Sequence, residues 1–197
     1  MCALIPRLVT RTRLLLIMHR YEDRKSTNTG RLASACLPNS EVLVRGHADA
    51  PTRALTFPAD TQPLLLFPHD DALPLASFQV GRPVTLIVPD GNWRQASRVR
   101  RRVPGLAHVP CVTLPAGEPS RYRLRAEVHP HGLATCEAIA RALGILEGPE
   151  VQRAIEQAFE AMVERCRWAR GEITRAEITT GIPVGAQRHE PRRGIGT

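Results

Sequence analysis

Apolar residues in this chain come in short runs cut off by proline, glycine and aspartate, and these runs alternate with stretches of three- and four-residue periodicity. Leu14–Met18, Val42–Val44, Leu64–Phe67, Val84–Val88 and Val109–Leu114 are aliphatic or β-branched and read as strands. They are apolar nearly throughout rather than alternating, which fits strands buried on both faces, as in a parallel sheet covered by helices. Thr27 is placed to cap a helix running towards Leu37 and stopped by Pro38. Asn92 to Val103 reads as a second helix, stopped by Pro104-Gly105, and Thr135, with Glu137 in the first turn, as the cap of a third ending near Glu147. The longest starts near Pro149 and ends before Gly171, proline in and glycine out. Its apolar stripe of Val151, Ile155, Ala158, Phe159, Met162 and Cys166 marks a packing helix. Alternating strand and helix predict an α/β fold with a mainly parallel sheet, one domain over residues 1–185. Residues 186–197, almost without aliphatic side chains, are expected to form a mobile basic tail.

Composition adds constraints. A chain of 197 residues with 43% hydrophobic and 23% charged residues has enough material for one buried core and is not disordered throughout. Its longest aliphatic run, Leu14–Met18, has 5 residues, against about 20 for a membrane span and ~7–15 for the core of a signal peptide, so neither is expected. The five cysteines are odd in number, form no C-x-x-C pair and lie mostly among apolar neighbours. Buried, reduced thiols in a cytoplasmic setting fit better than a disulfide framework. His129-Pro130-His131 is the only close histidine pair and lacks a third ligand, so no metal site is expected from it.

The net charge is +8, and Lys25 is the only lysine among 27 basic residues. Most of the excess lies in residues 91–125, with eight basic groups against one acidic. Such a field suits phosphate chains or an acidic partner, or else is a solvated helix face.

In parallel sheets ligands bind at the carboxyl ends of strands, which directs attention to Val84–Val88 and the Pro89-Asp90-Gly91-Asn92-Trp93 that follows. Asp90 sits where open sheets keep reactive groups, although Asp90-Gly91-Asn92 is equally a good turn. On a helix starting there, Ala96, Val99 and Val103 face the core, while Arg94, Arg98, Arg101 and Arg102 cluster opposite, with Arg100 the exception. Guanidinium forks match phosphate oxygens and an indole face can stack on a base, which points to RNA or another polyanion. Ser26-Thr27-Asn28-Thr29-Gly30-Arg31-Leu32 is a glycine-marked helix start, either a cap or a cradle for a small polar ligand. Ser120-Arg121-Tyr122-Arg123-Leu124-Arg125 is basic and suits a carboxylate or phosphate, or is an exposed strand. Neither a Gly-Lys-Ser/Thr nor a G-x-G-x-x-G occurs, removing the main support for ATP- and NAD-type readings.

Five segments in order carry a resemblance to the DTW-domain proteins, the tRNA-uridine aminocarboxypropyltransferases, over roughly residues 2–170. They are His19 with Asn28-Thr29-Gly30-Arg31-Leu32-Ala33, then Leu37-Pro38-Asn39-Ser40, then Pro89 to Ala96, then Ser120 to Arg125, then Gly132 to Ala140. The resemblance implies a SPOUT-like α/β fold, knotted around an S-adenosylmethionine site. It further implies transfer of the 3-amino-3-carboxypropyl group to N3 of a uridine in tRNA, leaving methylthioadenosine. On this likeness Asp90, Asn92 and Trp93 are the expected catalytic residues, with Asp90 as general base. Thr29, Gly30, Pro89, Leu114, Tyr122 and Thr135 are expected around the cofactor, and Arg31, Arg94, Arg98, Arg101 and Arg102 on the RNA. The family loop reads Asp-x-Thr-Trp, with Asn92 here in place of the threonine. Many members also carry an N-terminal cysteine cluster, of which Cys2 is at most the last member. A single thiolate does not hold zinc, which wants four ligands, so no zinc is expected. Two rival readings are a SPOUT-type RNA methyltransferase and a non-catalytic RNA-binding module.

Overall fold

A computed structural model describes residues 2–47, 49, 51–78, 81–124 and 132–188. Six strands form one parallel sheet: β1 (Arg13–His19), β2 (Ser40–Arg45), β3 (Gln62–Leu66), β4 (Leu73–Pro74), β5 (Val84–Asp90) and β6 (Cys111–Thr113). Their order is β2-β1-β5-β3-β6-β4, and every pair runs parallel. The helices are α1 (Arg20–Asp23), α2 (Thr29–Cys36), α3 (Trp93–Ala96), α4 (Val99–Arg102), α5 (Thr135–Leu146) and α6 (Pro149–Ala169). Among the described residues, none is long and apolar enough to cross a membrane.

The apolar runs follow from two separate cores. In β1 and β5, Leu14, Leu16, Met18, Leu86 and Val88 pack with α2, α5 and α6, while Leu15, Ile17 and Ile87 pack on the other face with Val99, Val103 and Leu106. Successive side chains alternate across a strand, and both sets are covered, so the run needs no polar partner position. The same alternation continues to the strand ends: Asp90 falls on the α2/α5 face with Leu86 and Val88, and His19 falls on the α4 face with Leu15 and Ile17.

Adjacent strands β1 and β5 are followed by helices on opposite faces, α2 on one and α4 on the other. Neighbouring strands whose connections diverge leave a crevice at their carboxyl ends, the usual ligand position in open α/β sheets. Met18 and Asp90 are register partners there.

Several expected boundaries shift. The Asn92–Val103 helix breaks into α3 and α4: Ser97 Oγ donates back to the Arg94 carbonyl at 3.3 Å, and four guanidiniums crowd one face. The α2 cap is Asn28 rather than Thr27, its Oδ1 accepting from Arg31 N at 2.8 Å, because the Thr27 carbonyl is engaged by the Tyr122 hydroxyl at 2.9 Å. Thr135 is the first residue of α5, not its cap, because Glu137 takes the Ala134 N–H at 2.9 Å. The strand expected over Val109–Leu114 shrinks to β6, between Pro110 and Pro115, each lacking an N–H for the ladder. Residues 120–124 form a loop, not an exposed strand, since Ser120 Oγ and Arg121 N donate to Glu137 at 2.6 and 2.7 Å. The edge bridge β4 was not foreseen. Cys36, Cys111 and Cys136 are buried free thiols, and Cys166 is a half-buried one. Of the expected tail, Ala186–Arg188 is described: Arg188 donates to the Ile173 carbonyl at 2.9 Å and lies 5.7 Å over the Trp168 ring. Residues 189–197 lie outside the described residues, as does His129-Pro130-His131.

Candidate active site at the carboxyl edge of the sheet

Asp90 ends β5 only 7% exposed. A buried carboxylate persists only where donors replace water, and two side chains do so. Asn28 Nδ2 donates to Oδ2 at 2.6 Å and Thr135 Oγ1 to Oδ1 at 2.6 Å, one from the start of α2 and one from the start of α5. Asn28 thus serves twice, its oxygen capping α2 and its nitrogen holding Asp90. Gly30 packs directly beneath: a Cβ there would stand 3.0 Å from Asp90 Oδ2 and 3.0 Å from Leu16 Cδ2. Here glycine is required for close approach, not for an unusual backbone angle.

A cavity of about 650 Å³ opens beside Pro89 and Gly91 and is bounded by Thr135, which donates to Asp90. Phe67, Val112, Leu114 and Leu133 make its apolar wall, and Glu118 and Arg141 bring charge of both signs. Trp93 lines it with its ring edge-on to Phe67, centroids 5.6 Å apart. The volume is within the ~300–1,000 Å³ usual for small-molecule sites.

Of the residues singled out, the structure brings Pro89, Trp93, Leu114 and Thr135 to this cavity. Asn92 is exposed at the helix start: its Oδ1 accepts from Gln95 N at 2.9 Å and its N–H donates to Gln95 Oε1 at 3.0 Å, a closed capping box. The amide therefore does a cap's work in place of the family threonine. Thr29 is buried between α2 and α5, its Oγ1 accepting from Cys136 N at 3.3 Å. Tyr122 reaches the Thr27 carbonyl and stacks tilted on Phe159 at 6.0 Å. Thr29, Gly30 and Tyr122 stand behind the Asp90 support and do not line the cavity.

Arg94, Arg101 and Arg102 are exposed and Arg98 half-buried, and among the described residues none of the four makes an ion pair. Their crowding is electrostatically unfavourable: the Arg94 charge, then burial and the charges of Arg102 and Arg101, lower the Arg98 pKa from its ordinary value. Arg98 and Arg101 line an open groove with His69. Arg100 instead donates to Asp71 at 2.5 Å. Arg31, on α2, is tied to Asp23. Among the described residues no group of three or more His, Cys, Asp or Glu is placed to hold a metal ion.

Two features of this site are missed by sequence reasoning. Asn28 belongs to a quoted motif, but its bond to Asp90 joins positions 62 apart. Arg141 follows Thr135 by a turn and a half of α5, and only the packed structure puts it at the cavity.

Fold and site together define an α/β protein with a buried, doubly hydrogen-bonded carboxylate beside a ligand-sized cavity and a basic helix face. The chain belongs to the DTW domain family, whose domain matches residues 1–167. It is 29% identical over 162 residues to the tRNA-uridine aminocarboxypropyltransferase 2 of Drosophila melanogaster, covering 77% of this chain and 63% of that protein. It is 32% identical over 143 residues to the Macaca fascicularis protein of the same name, covering 69% and 48%. The chain therefore spans 48% to 63% of the length of these relatives. A solved structure, the SAM-dependent rRNA:acp-transferase Tsr3 from Vulcanisaeta distributa, is similar at a TM-score of 0.46 and 16% identity, over 81% of this chain and 79% of that one.

Proposed function

We propose that this protein transfers the 3-amino-3-carboxypropyl group of S-adenosylmethionine to N3 of a uridine in tRNA. The observation that carries this reading is the Asp90 carboxylate, fixed by Asn28 and Thr135 next to a cavity of about 650 Å³ that Pro89, Gly91 and Thr135 line while Asp90 itself does not. Support also comes from relatives named tRNA-uridine aminocarboxypropyltransferase 2. The cavity suits the donor: its apolar wall matches an adenosine face, and Arg141 and Glu118 offer opposite charges to an amino-acid end. When bound, S-adenosylmethionine supplies a γ-carbon on a sulfonium, whose bond to sulfur breaks as the bond to N3 forms, with methylthioadenosine departing.

The chain's own task is to make N3 a nucleophile and to hold it. Uridine N3 carries a proton at neutral pH. Asp90 takes it as general base, a role typically worth about 10²–10⁴ in rate. Thr135 and Asn28 keep the carboxylate aimed, so that little reorganisation is needed at the moment of transfer. Trp93 offers a ring wall, and Arg94, Arg98, Arg101 and Arg102 take the tRNA phosphates. The SPOUT-like, knotted arrangement around the donor belongs to the same reading. Its support is that the cavity walls come from four neighbouring stretches, 66–68, 88–96, 112–119 and 133–141.

Incubation with bulk tRNA and S-adenosylmethionine tests it by mass spectrometry of nucleosides and by-products. Uridine carrying the aminocarboxypropyl mass, with methylthioadenosine, is expected, and Asp90→Ala should yield neither while still retaining tRNA. A methylated nucleoside with S-adenosylhomocysteine would make the protein a methyltransferase. No product would leave an RNA-binding module.

A further inference from the structure

On the opposite side of β5 from β3 and β6, the ends of β1 and β2 carry a second cluster. His19 and Arg45 are register partners, so their side chains leave the same face of the sheet. Arg45 is only 8% exposed. Its Nη2 donates to the Gln95 carbonyl at 2.9 Å, which fixes the guanidinium under α3, while its Nε is buried with no partner. Arginine is rarely buried without an anion, and no carboxylate meets this one among the described residues.

The surroundings are cationic. Arg102 acts on Arg45 through its charge, and Arg45, Arg20 and His47 act on His19. The one acid of the group, Glu22, is engaged by Lys25. His19 is itself held in place. Its Nδ1 accepts from Tyr21 N at 3.4 Å, which leaves the hydrogen of a neutral ring on Nε2. Gly46, with φ +94°, lies so close that a Cβ would stand 3.0 Å from Nε2, and a Cβ on Gly91 would stand 3.5 Å from His19 Cβ. Arg45 Nε and His19 Nε2 are thus two fixed donors at the carboxyl ends of β2 and β1, His19 next to Gly91 of the β5 end and Arg45 within the field of Arg102.

We propose that His19, Arg45 and Arg102 form an oxyanion subsite that seats a backbone phosphate of the RNA strand whose base reaches Asp90. The inference rests on the reading of the substrate as an RNA. Asp90 leaves one face of the sheet and this cluster the other, with Arg45 two strands from Asp90, about 10 Å at ~4.8 Å per strand, so an RNA strand crossing the carboxyl edge of the sheet presents its base to one face and a neighbouring phosphate to the other. A phosphate oxygen would meet the part of the Arg45 side chain that keeps its 8% exposure, supplying by a charge-assisted bond the anion that this buried guanidinium lacks. The donor then enters over β3 and β6, and the acceptor over β1 and β2, meeting at Asp90.

The test measures tRNA affinity against salt, and S-adenosylmethionine affinity by calorimetry, for wild type, Arg45→Gln, Arg45→Lys and His19→Gln, with melting curves as the control for folding. Arg45→Gln is expected to bind tRNA about tenfold more weakly and to lose about one unit of log–log salt slope. Donor affinity should be unchanged. Arg45→Lys keeps the slope with a smaller loss of affinity, and His19→Gln weakens tRNA binding too; these two carry the test should Arg45→Gln fail to fold. Unchanged tRNA affinity in the folded variants would overturn the subsite, and so would weakened donor binding in place of tRNA binding, since the anion would then be the donor's carboxylate. Wild-type protein that binds tRNA but makes no product would overturn only the transferase reading. Wild-type protein that binds no tRNA would overturn both.

Discussion

Asn28 donates its amide to Asp90 Oδ2 at 2.6 Å while the same side chain caps α2 through Arg31 N at 2.8 Å. One residue thereby couples the start of a helix to the end of a strand, so that the carboxylate moves only if the helix does. Serine caps helices about as well as asparagine but is too short to reach across to Asp90. Asn28→Ser therefore keeps the cap but leaves Asp90 Oδ2 without this donor, which is expected to cost about 1–3 kcal/mol and to slow turnover by far more than that loss of stability explains. Thermal melting beside steady-state product formation checks this. Proportional losses in both would reduce Asn28 to a cap.

Gly30→Ala places a methyl 3.0 Å from both Asp90 Oδ2 and Leu16 Cδ2. Leu16 is wholly buried in the sheet, so the more yielding neighbour is the carboxylate, which keeps 7% exposure. Over-packing of this kind typically costs about 1–3 kcal/mol, and activity should fall by more than that loss of stability explains. A variant of normal kcat would mean that the Asp90 position is not critical. The comparison is of kcat at a temperature where both proteins remain folded.

The face of the helix pair is read through salt. Arg98→Ala with Arg101→Ala removes two cations whose charges already crowd one another, so folding should be unharmed or slightly improved. Binding of tRNA should weaken and the salt slope fall by about two units, at ~0.9 per phosphate contact released. An unchanged slope would mean that this face only meets solvent.

How far the sequence reaches is clear from individual residues. The strands β1, β3 and β5 are legible because burial on both faces leaves them apolar throughout, whereas Asp90 stands out only as a charge ending such a run, which a turn explains equally well until the structure buries it. Asn28, Thr135 and Arg45 are not legible. Asn28 and Thr135 are ordinary helix-start residues until packing brings them to Asp90 across 62 and 45 positions, and Arg45 is one arginine among many until β2 buries it. The break between α3 and α4 is likewise hidden, since helix periodicity survives it: Ala96, Val99 and Val103 are all buried as the wheel requires. Local hydrogen bonding and like-charge crowding decided the matter there, and neither shows in apolar spacing.

His19 links the cluster at the sheet edge to pH. Burial first, then the charges of Arg45 and Arg20, lower its pKa below the ordinary 6.5, opposed by Glu22 and aided least by His47. A lowered histidine pKa in the folded protein means that the unfolded chain binds more protons as pH falls through 6.5 towards the folded value. Its contribution to stability is therefore complete above pH 6.5 and is lost progressively below it. In melting curves taken from pH 7.5 to pH 5 without nucleic acid, wild-type protein should lose Tm more steeply than His19→Gln, which has no proton to take up at this position. Parallel curves would place His19 in an environment that does not resist its charge, at odds with a ring held beside Arg45. Bound tRNA should oppose this loss, since a phosphate on the cluster favours the protonated ring and flattens the wild-type curve.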